Sequence, residues 1–135
     1  RLDGFTGARQ ATAAALLDGL RQARRLLPIQ AVAGGEPVYL RLPLLAPDAA
    51  ARERLLARLG AAGIGATGSY PRSIAEIPSL GNASGARSMS VGIDVARRIL
   101  TLPTHPFVTS FDVQTMLGIL TADGADTASG KTWAA

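Results

Sequence analysis

Apolar residues recur at helical spacing in four stretches of this chain, with alternating or continuous apolar runs between them. The first stretch predicts one long helix from Thr6 to about Leu27. Thr6 can cap it, the alanines between Ala11 and Ala15 favour it, and Leu16, Leu17, Leu20, Ala23 and Leu27 share one side. Pro28 is expected to end it. Val38 to Leu45 alternates as a strand does, with Val38, Leu40 and Leu42 on one face, Tyr39 and Arg41 on the other, and Pro43 pointing to an edge or a bulge. Asp48 opens a second helix through about Ala62. Leu55, Leu56 and Leu59 are its buried stripe, Arg52, Glu53, Arg54 and Arg58 its wet side, and Gly63 the residue just past its end.

Ile64 to Tyr70 reads as a second strand, weakened by glycine, and Arg72 to Asn82 as irregular because Pro78 and Gly81 break any long helix. A third helix begins near Ala86 and carries Met89, Ile93 and Ala96 to the paired Arg97 and Arg98. The most strongly specified unit follows. Ile99, Leu100 and Leu102 form a short apolar strand, and Pro103 and Pro106 stop it, since each lacks an N–H and holds the residue before it extended. Thr109 caps the last helix with Asp112 as its capping-box partner, and Val113, Met116, Leu117 and Leu120 give that helix one apolar face. The sum is an α+β fold, a small sandwich of about three mostly antiparallel strands with helices on one face. Beyond Thr121 the chain is small and polar and reads as a frayed tail.

Composition narrows this picture without changing it. A chain of 135 residues is one domain, long enough for a core without disulfides or metals. Only 4% of residues are aromatic, so that core must be built from Leu, Ala, Val and Ile. No apolar run approaches the roughly 18 residues of a membrane span, and a cysteine-free chain fits a reducing, cytoplasmic setting. The net charge is +4, but the basic residues come in scattered pairs, Arg24 with Arg25 and Arg97 with Arg98. That spacing predicts a solvated surface and no nucleic-acid partner.

Complete catalytic sets are missing. One histidine and no cysteine argue against a zinc site, no serine sits on a nucleophile elbow, and the single lysine, Lys131, lies in the tail. The glycines at 63, 65 and 68 run into Ser69, Tyr70 and Pro71 instead of a helix, so they do not form a phosphate loop. Two loops carry chemistry nonetheless. Ser69, Tyr70 and Arg72 put a hydroxyl, a phenol and a guanidinium in four residues, a set suited to a phosphate or a sugar. Thr104 and His105 are pinned between prolines. The competing readings are structural: Tyr70 as core, Arg72 as a surface cation, His105 as a hydrogen bonder within the fold.

The blocks GIGATGSYPRSIAEIP at Gly63 to Pro78 and RRILTLPTHPFVTSFDV at Arg97 to Val113 resemble the C-terminal part of the DegT/DnrJ/EryC1/StrS aminotransferases. The second block matches more closely than the first. The resemblance implies a pyridoxal 5'-phosphate enzyme of fold-type I acting on a nucleotide-linked keto sugar, with a large domain that holds the cofactor and a small domain that closes the site. By this likeness residues 1–28 are a helix bridging from a missing large domain of the same polypeptide, 29–121 the small domain and 122–135 a tail. Pyridoxal phosphate is then not expected to bind this chain alone, and the whole enzyme is expected to be a homodimer. Tyr70 matches the family's loop tyrosine, while Ser69 falls where many members have histidine. Substrate contact is expected at Ser69, Tyr70 and Arg72, with Thr104 and His105 structural. The alternative is a stand-alone, non-catalytic interaction module that keeps the small-domain fold.

Overall fold

A computed structural model describes residues 2–23, 25–77 and 90–122. Helix α1 spans Leu2–Gly19 and tightens into a 3-10 turn over Leu20–Gln22. Strand β1 is Leu27–Pro28 and strand β2 is Arg41–Leu45. Helix α2 is Ala49–Ala61, α3 is Ser90–Arg98, β3 is Ile99–Pro103 and α4 is Ser110–Ala122. The three strands form one antiparallel sheet in the order β1-β2-β3, so the expected α+β fold is what the chain adopts.

The register of β2 on β3 pairs Leu42 with Leu102 and Leu44 with Leu100, which puts four fully buried leucines on one face. Ala13, Leu16 and Leu20 from the first helix and its turn, Ala51, Leu55 and Leu59 from α2, and Met116 and Leu120 from α4 join them in a single core. Aliphatic residues build that core, as the low aromatic content requires. On the opposite face of the strand pair lie Arg41, Pro43, Thr101 and Pro103.

Local chemistry accounts for the helix ends. Asp48 is extended and accepts the Ala51 N–H at 2.7 Å, an N-cap. Gly63 has a φ of 75° at the other end of α2. Its N–H reaches the Gly60 carbonyl at 3.0 Å and the Ile64 N–H reaches Leu59 at 2.9 Å, a Schellman termination. Thr109 and Asp112 form a reciprocal box at α4. The Asp112 N–H donates to Thr109 Oγ1 at 3.2 Å and the Thr109 N–H to Asp112 Oδ2 at 2.8 Å. That backbone bond, then the Thr109 hydroxyl, holds the Asp112 carboxyl below its ordinary pKa.

Several local expectations change. The first helix ends near Gly19, well before Leu27, and Pro28 lies in a strand. The strand expected from Val38 begins only at Arg41, because Tyr39 sits in the left-handed region at φ 52°. Thr104, fully buried, donates its hydroxyl to the Tyr39 carbonyl, while Arg9 donates to the Leu40 carbonyl at 2.9 Å, so this irregular lead-in is held from two sides. The strand expected over Ile64 to Tyr70 reduces to one bridge, Thr67 to Thr101. Arg52 is not on a wet side: its side chain is mostly buried beneath the loop that carries Gly68. The start of the third helix near Ala86, Met89 and the tail with Lys131 lie outside the described residues.

Pro43 is not at an edge either, since β2 is the central strand. Thr101 spends both backbone groups on Thr67, at 2.7 and 3.1 Å, so Thr101 and Pro43 are a non-hydrogen-bonded pair. The Pro43 nitrogen therefore points toward β1, which has ended at that level. The Ile29 N–H still reaches the Pro43 carbonyl at 3.2 Å. By the same alternation Pro28 and Pro103 aim their nitrogens away from β2, and each strand carries its proline without losing a bond to the β2–β3 ladder.

No helix among the described residues is long and apolar enough to cross a membrane. Leu102→Ala empties a fully enclosed site between the sheet and its helices. It should cost about 2–5 kcal/mol in a urea titration of the protein, and Leu40→Ala, at an exposed position, should cost far less.

Candidate functional site

Residues 64–77 leave the end of α2 and run past the free edge of β3, where Thr67 bridges Thr101. Arg41 reaches over from β2 to tie them down. Its Nε donates to Thr101 Oγ1 at 2.7 Å, and one terminal nitrogen donates to the carbonyls of Gly65 at 2.5 Å and Thr101 at 3.0 Å. Partial burial pushes the Arg41 pKa down from its ordinary value. Thr67 and Thr101 add a hydroxyl pair at 3.2 Å to their backbone bridge. The loop is thus fixed up to Thr67, and the residues singled out for chemistry come directly after.

Ser69, Tyr70 and Arg72 are all exposed. Tyr70 is 60% exposed, which removes the reading of it as core. Tyr70 and Arg72, with Ser73 and Ile74, form one wall of a cavity of about 420 Å³, and Gly92, Val95 and Ala96 of α3 form the other. Ser69 is outside this lining. The volume is in the range of small-ligand pockets, which run from about 300 Å³ upward. Apolar groups from Ile74, Val95 and Ala96 floor the cavity, and the phenol and guanidinium are its polar handles. Such a lining suits a ligand with one apolar face and an anionic or hydroxyl-bearing end.

A single 3-10 turn over Ile74–Glu76 closes the loop. The Ser73 N–H donates to Glu76 Oε2 at 3.1 Å and the Glu76 N–H returns to the Ser73 carbonyl at 2.9 Å. The other Glu76 oxygen accepts from Arg97 of α3 at 2.7 Å. The Ser73 bond first, then Arg97, holds the Glu76 carboxyl below its ordinary value of 4.5, and nearby Arg72 adds to this. Ser73-x-x-Glu76 is a capping-box pattern within a stretch expected to be irregular, and it was the available signal for this turn. Gly92, Val95 and Ala96 follow helical spacing, yet only tertiary packing brings that face to the loop.

Thr104 and His105 stand apart from this cavity. The Thr104 hydroxyl is committed to Tyr39, and His105 is exposed with its ring 6.0 Å from that of Phe107 and tilted by 53°. No group of three metal-ligating side chains occurs among the described residues. A second cavity of about 410 Å³ lies beside β1 and residues 37–43, but its arginine, Arg41, is engaged with Thr101 and Gly65.

The model of the DegT/DnrJ/EryC1/StrS aminotransferase family matches residues 1–121. No curated protein sequence matches. Among solved structures, DesV of S. venezuelae is 24% identical with a TM-score of 0.81, over 91% of this chain and 33% of DesV. The aminotransferase TlmJ of Streptoalloteichus hindustanus is 25% identical with a TM-score of 0.77, over 96% of this chain and 34% of TlmJ. The sugar aminotransferase CalS13 of Micromonospora echinospora is 22% identical with a TM-score of 0.75, over 90% of this chain and 31% of CalS13. The chain spans about a third of the length of each.

The Glu76 contacts predict acid sensitivity at the loop. Ionised Glu76 is favoured by folding, so its contribution is complete above pH 4.5 and is lost as pH falls through the lower folded value. Stability of the protein measured from pH 6 to about pH 3 should fall, and Glu76→Gln should flatten that slope. An unchanged slope would show that these bonds do not form in solution.

Proposed function

We propose a function from one premise: the chain belongs to the DegT/DnrJ/EryC1/StrS aminotransferase family. It is the small domain of a pyridoxal phosphate-dependent sugar aminotransferase, and it lends the enzyme a substrate-side wall. The observation that carries this reading is the family match over residues 1–121, supported by a fold likeness that covers 91% of this chain but 33% of DesV. The C-terminal position, a large domain elsewhere in the polypeptide and a homodimeric enzyme belong to the same proposal.

Pyridoxal phosphate, which the family implies, needs an amine for its aldehyde and several donors for its phosphate. The described residues do not assemble such a site: the chain's one lysine, Lys131, is outside them, and Arg72 is the one cation among the described residues lining the cavity beside α3. The cofactor chemistry is accordingly assigned to the rest of the enzyme. What this chain does is bind and orient. The Arg72 guanidinium offers paired N–H donors to a phosphate of a nucleotide-linked keto sugar. The Tyr70 phenol offers a hydrogen bond to the sugar, and Ile74, Val95 and Ala96 exclude water from its apolar face.

In the enzyme that contains this chain, Arg72→Ala and Tyr70→Phe should each raise KM for a nucleotide-linked keto sugar, by about tenfold for Arg72. KM for the amino donor and kcat should stay within about twofold, the pattern of lost substrate binding without lost chemistry. Unaltered KM in both variants would remove this loop from the substrate site, and absence of amino-group transfer by the parent enzyme would remove the function.

A further inference from the structure

The Arg52 side chain is mostly buried, and its Nε is buried with no hydrogen-bond partner among the described residues. A cation so placed needs a reason. One terminal nitrogen of Arg52 contacts the exposed Glu53 carboxylate at 3.4 Å and donates to the Arg97 carbonyl, in the last turn of α3, at 3.3 Å. The guanidinium also lies against Gly68: a Cβ built on Gly68 would overlap the other terminal nitrogen and crowd the carbon at 2.9 Å. Arg52 therefore fills the space that a side chain at Gly68 would need, one residue before Ser69.

The same α3 terminus holds the far end of the loop. The Arg97 carbonyl receives Arg52, and the Arg97 guanidinium reaches Glu76, whose other oxygen caps Ser73. Tyr70 and Arg72 lie between these two anchor points. Both anchors run through α3, which also supplies Gly92, Val95 and Ala96 to the opposite cavity wall.

We infer that Arg52 is a positioning residue: packed under Gly68 and bonded to the end of α3, it sets the distance between the Tyr70–Arg72 loop and the α3 wall. This deepens the reading of the cavity as a substrate site and rests on it. Arg52 touches no substrate. Its effect passes through Gly68 and through Arg97, and a side chain at Gly68 would have to shift the guanidinium from its place.

A double-mutant cycle tests this with two readouts. Arg52→Met keeps the alkyl stem and drops the guanidinium, and Gly68→Ala pushes on it. In the enzyme that contains this chain, each single change should raise KM for the nucleotide-linked keto sugar by about fivefold with kcat within about twofold. Gly68→Ala should add nothing once Arg52 is Met, because the group it strikes is gone. The second readout is independent of activity: the rate at which trypsin cuts after Arg72, followed by fragment mass, should rise in Arg52→Met and in Gly68→Ala and rise no further in the double variant. Additive effects, or cutting at the parent rate in both single variants, would overturn the inference. Should the parent enzyme transfer no amino group, the functional reading fails and the proteolysis cycle still decides the role of Arg52. Arg52→Lys, which keeps the charge but not the planar fork, should be cut after Arg72 as fast as Arg52→Met, and cutting at the parent rate would overturn the role of the guanidinium.

Discussion

Because side chains alternate across a strand, the register that pairs Leu42 with Leu102 and Leu44 with Leu100 decides where every other side chain of β2 and β3 points. A slip of one residue would bury Arg41 and Thr101 in the core and expose the leucines. In the observed register one face takes the aliphatic groups of α1, α2 and α4, and the other takes the arginine and threonine that receive the 64–77 loop. The candidate cavity lies beyond that anchorage, between the loop and α3, and no residue of the strand pair lines it.

Arginine side chains act as backbone clasps around the sheet. Arg41 spans β3 and Gly65, Arg52 spans Gly68 and the end of α3, and Arg98 donates to the Ala46 carbonyl at 2.7 Å. Each planar guanidinium offers donors in several directions, and each meets carbonyls that the short strands and helix ends leave open. The basic composition therefore has a structural use that a count of charges does not reveal. A lysine, with its single ammonium, could not bridge two segments in the same way.

The prolines illustrate a related economy. Pro28, Pro43 and Pro103 lie one in each strand, yet each nitrogen faces away from the β2–β3 ladder. Reading Pro43 from the sequence alone suggests an edge, since the rule concerns a missing N–H and the sequence does not say which way that N–H would have pointed. Parity within the ladder supplies the answer, and parity is known only once the partner strand is known.

Where caps and periods are local, the amino-acid sequence by itself determined the outcome. The Asp48 and Thr109 caps and the Gly63 termination rest on contacts within a few residues and were legible, and the apolar faces of α2 and α4 and the Ile99–Pro103 strand were legible from their residue pattern. The family blocks were legible as a likeness, and Tyr70 and Arg72 as a phenol and a guanidinium close together in one loop. Tertiary structure decided the rest. The left-handed turn at Tyr39 depends on Thr104, 65 residues away, and the shrinkage of the 64–70 strand to one bridge depends on Arg41 and Thr101. Arg52 stands three, four and seven residues before Leu55, Leu56 and Leu59, so helical period puts it on the leucine stripe, and only its charge argued for the wet side. What no local pattern encodes is that a glycine from a distant loop leaves room there for its guanidinium.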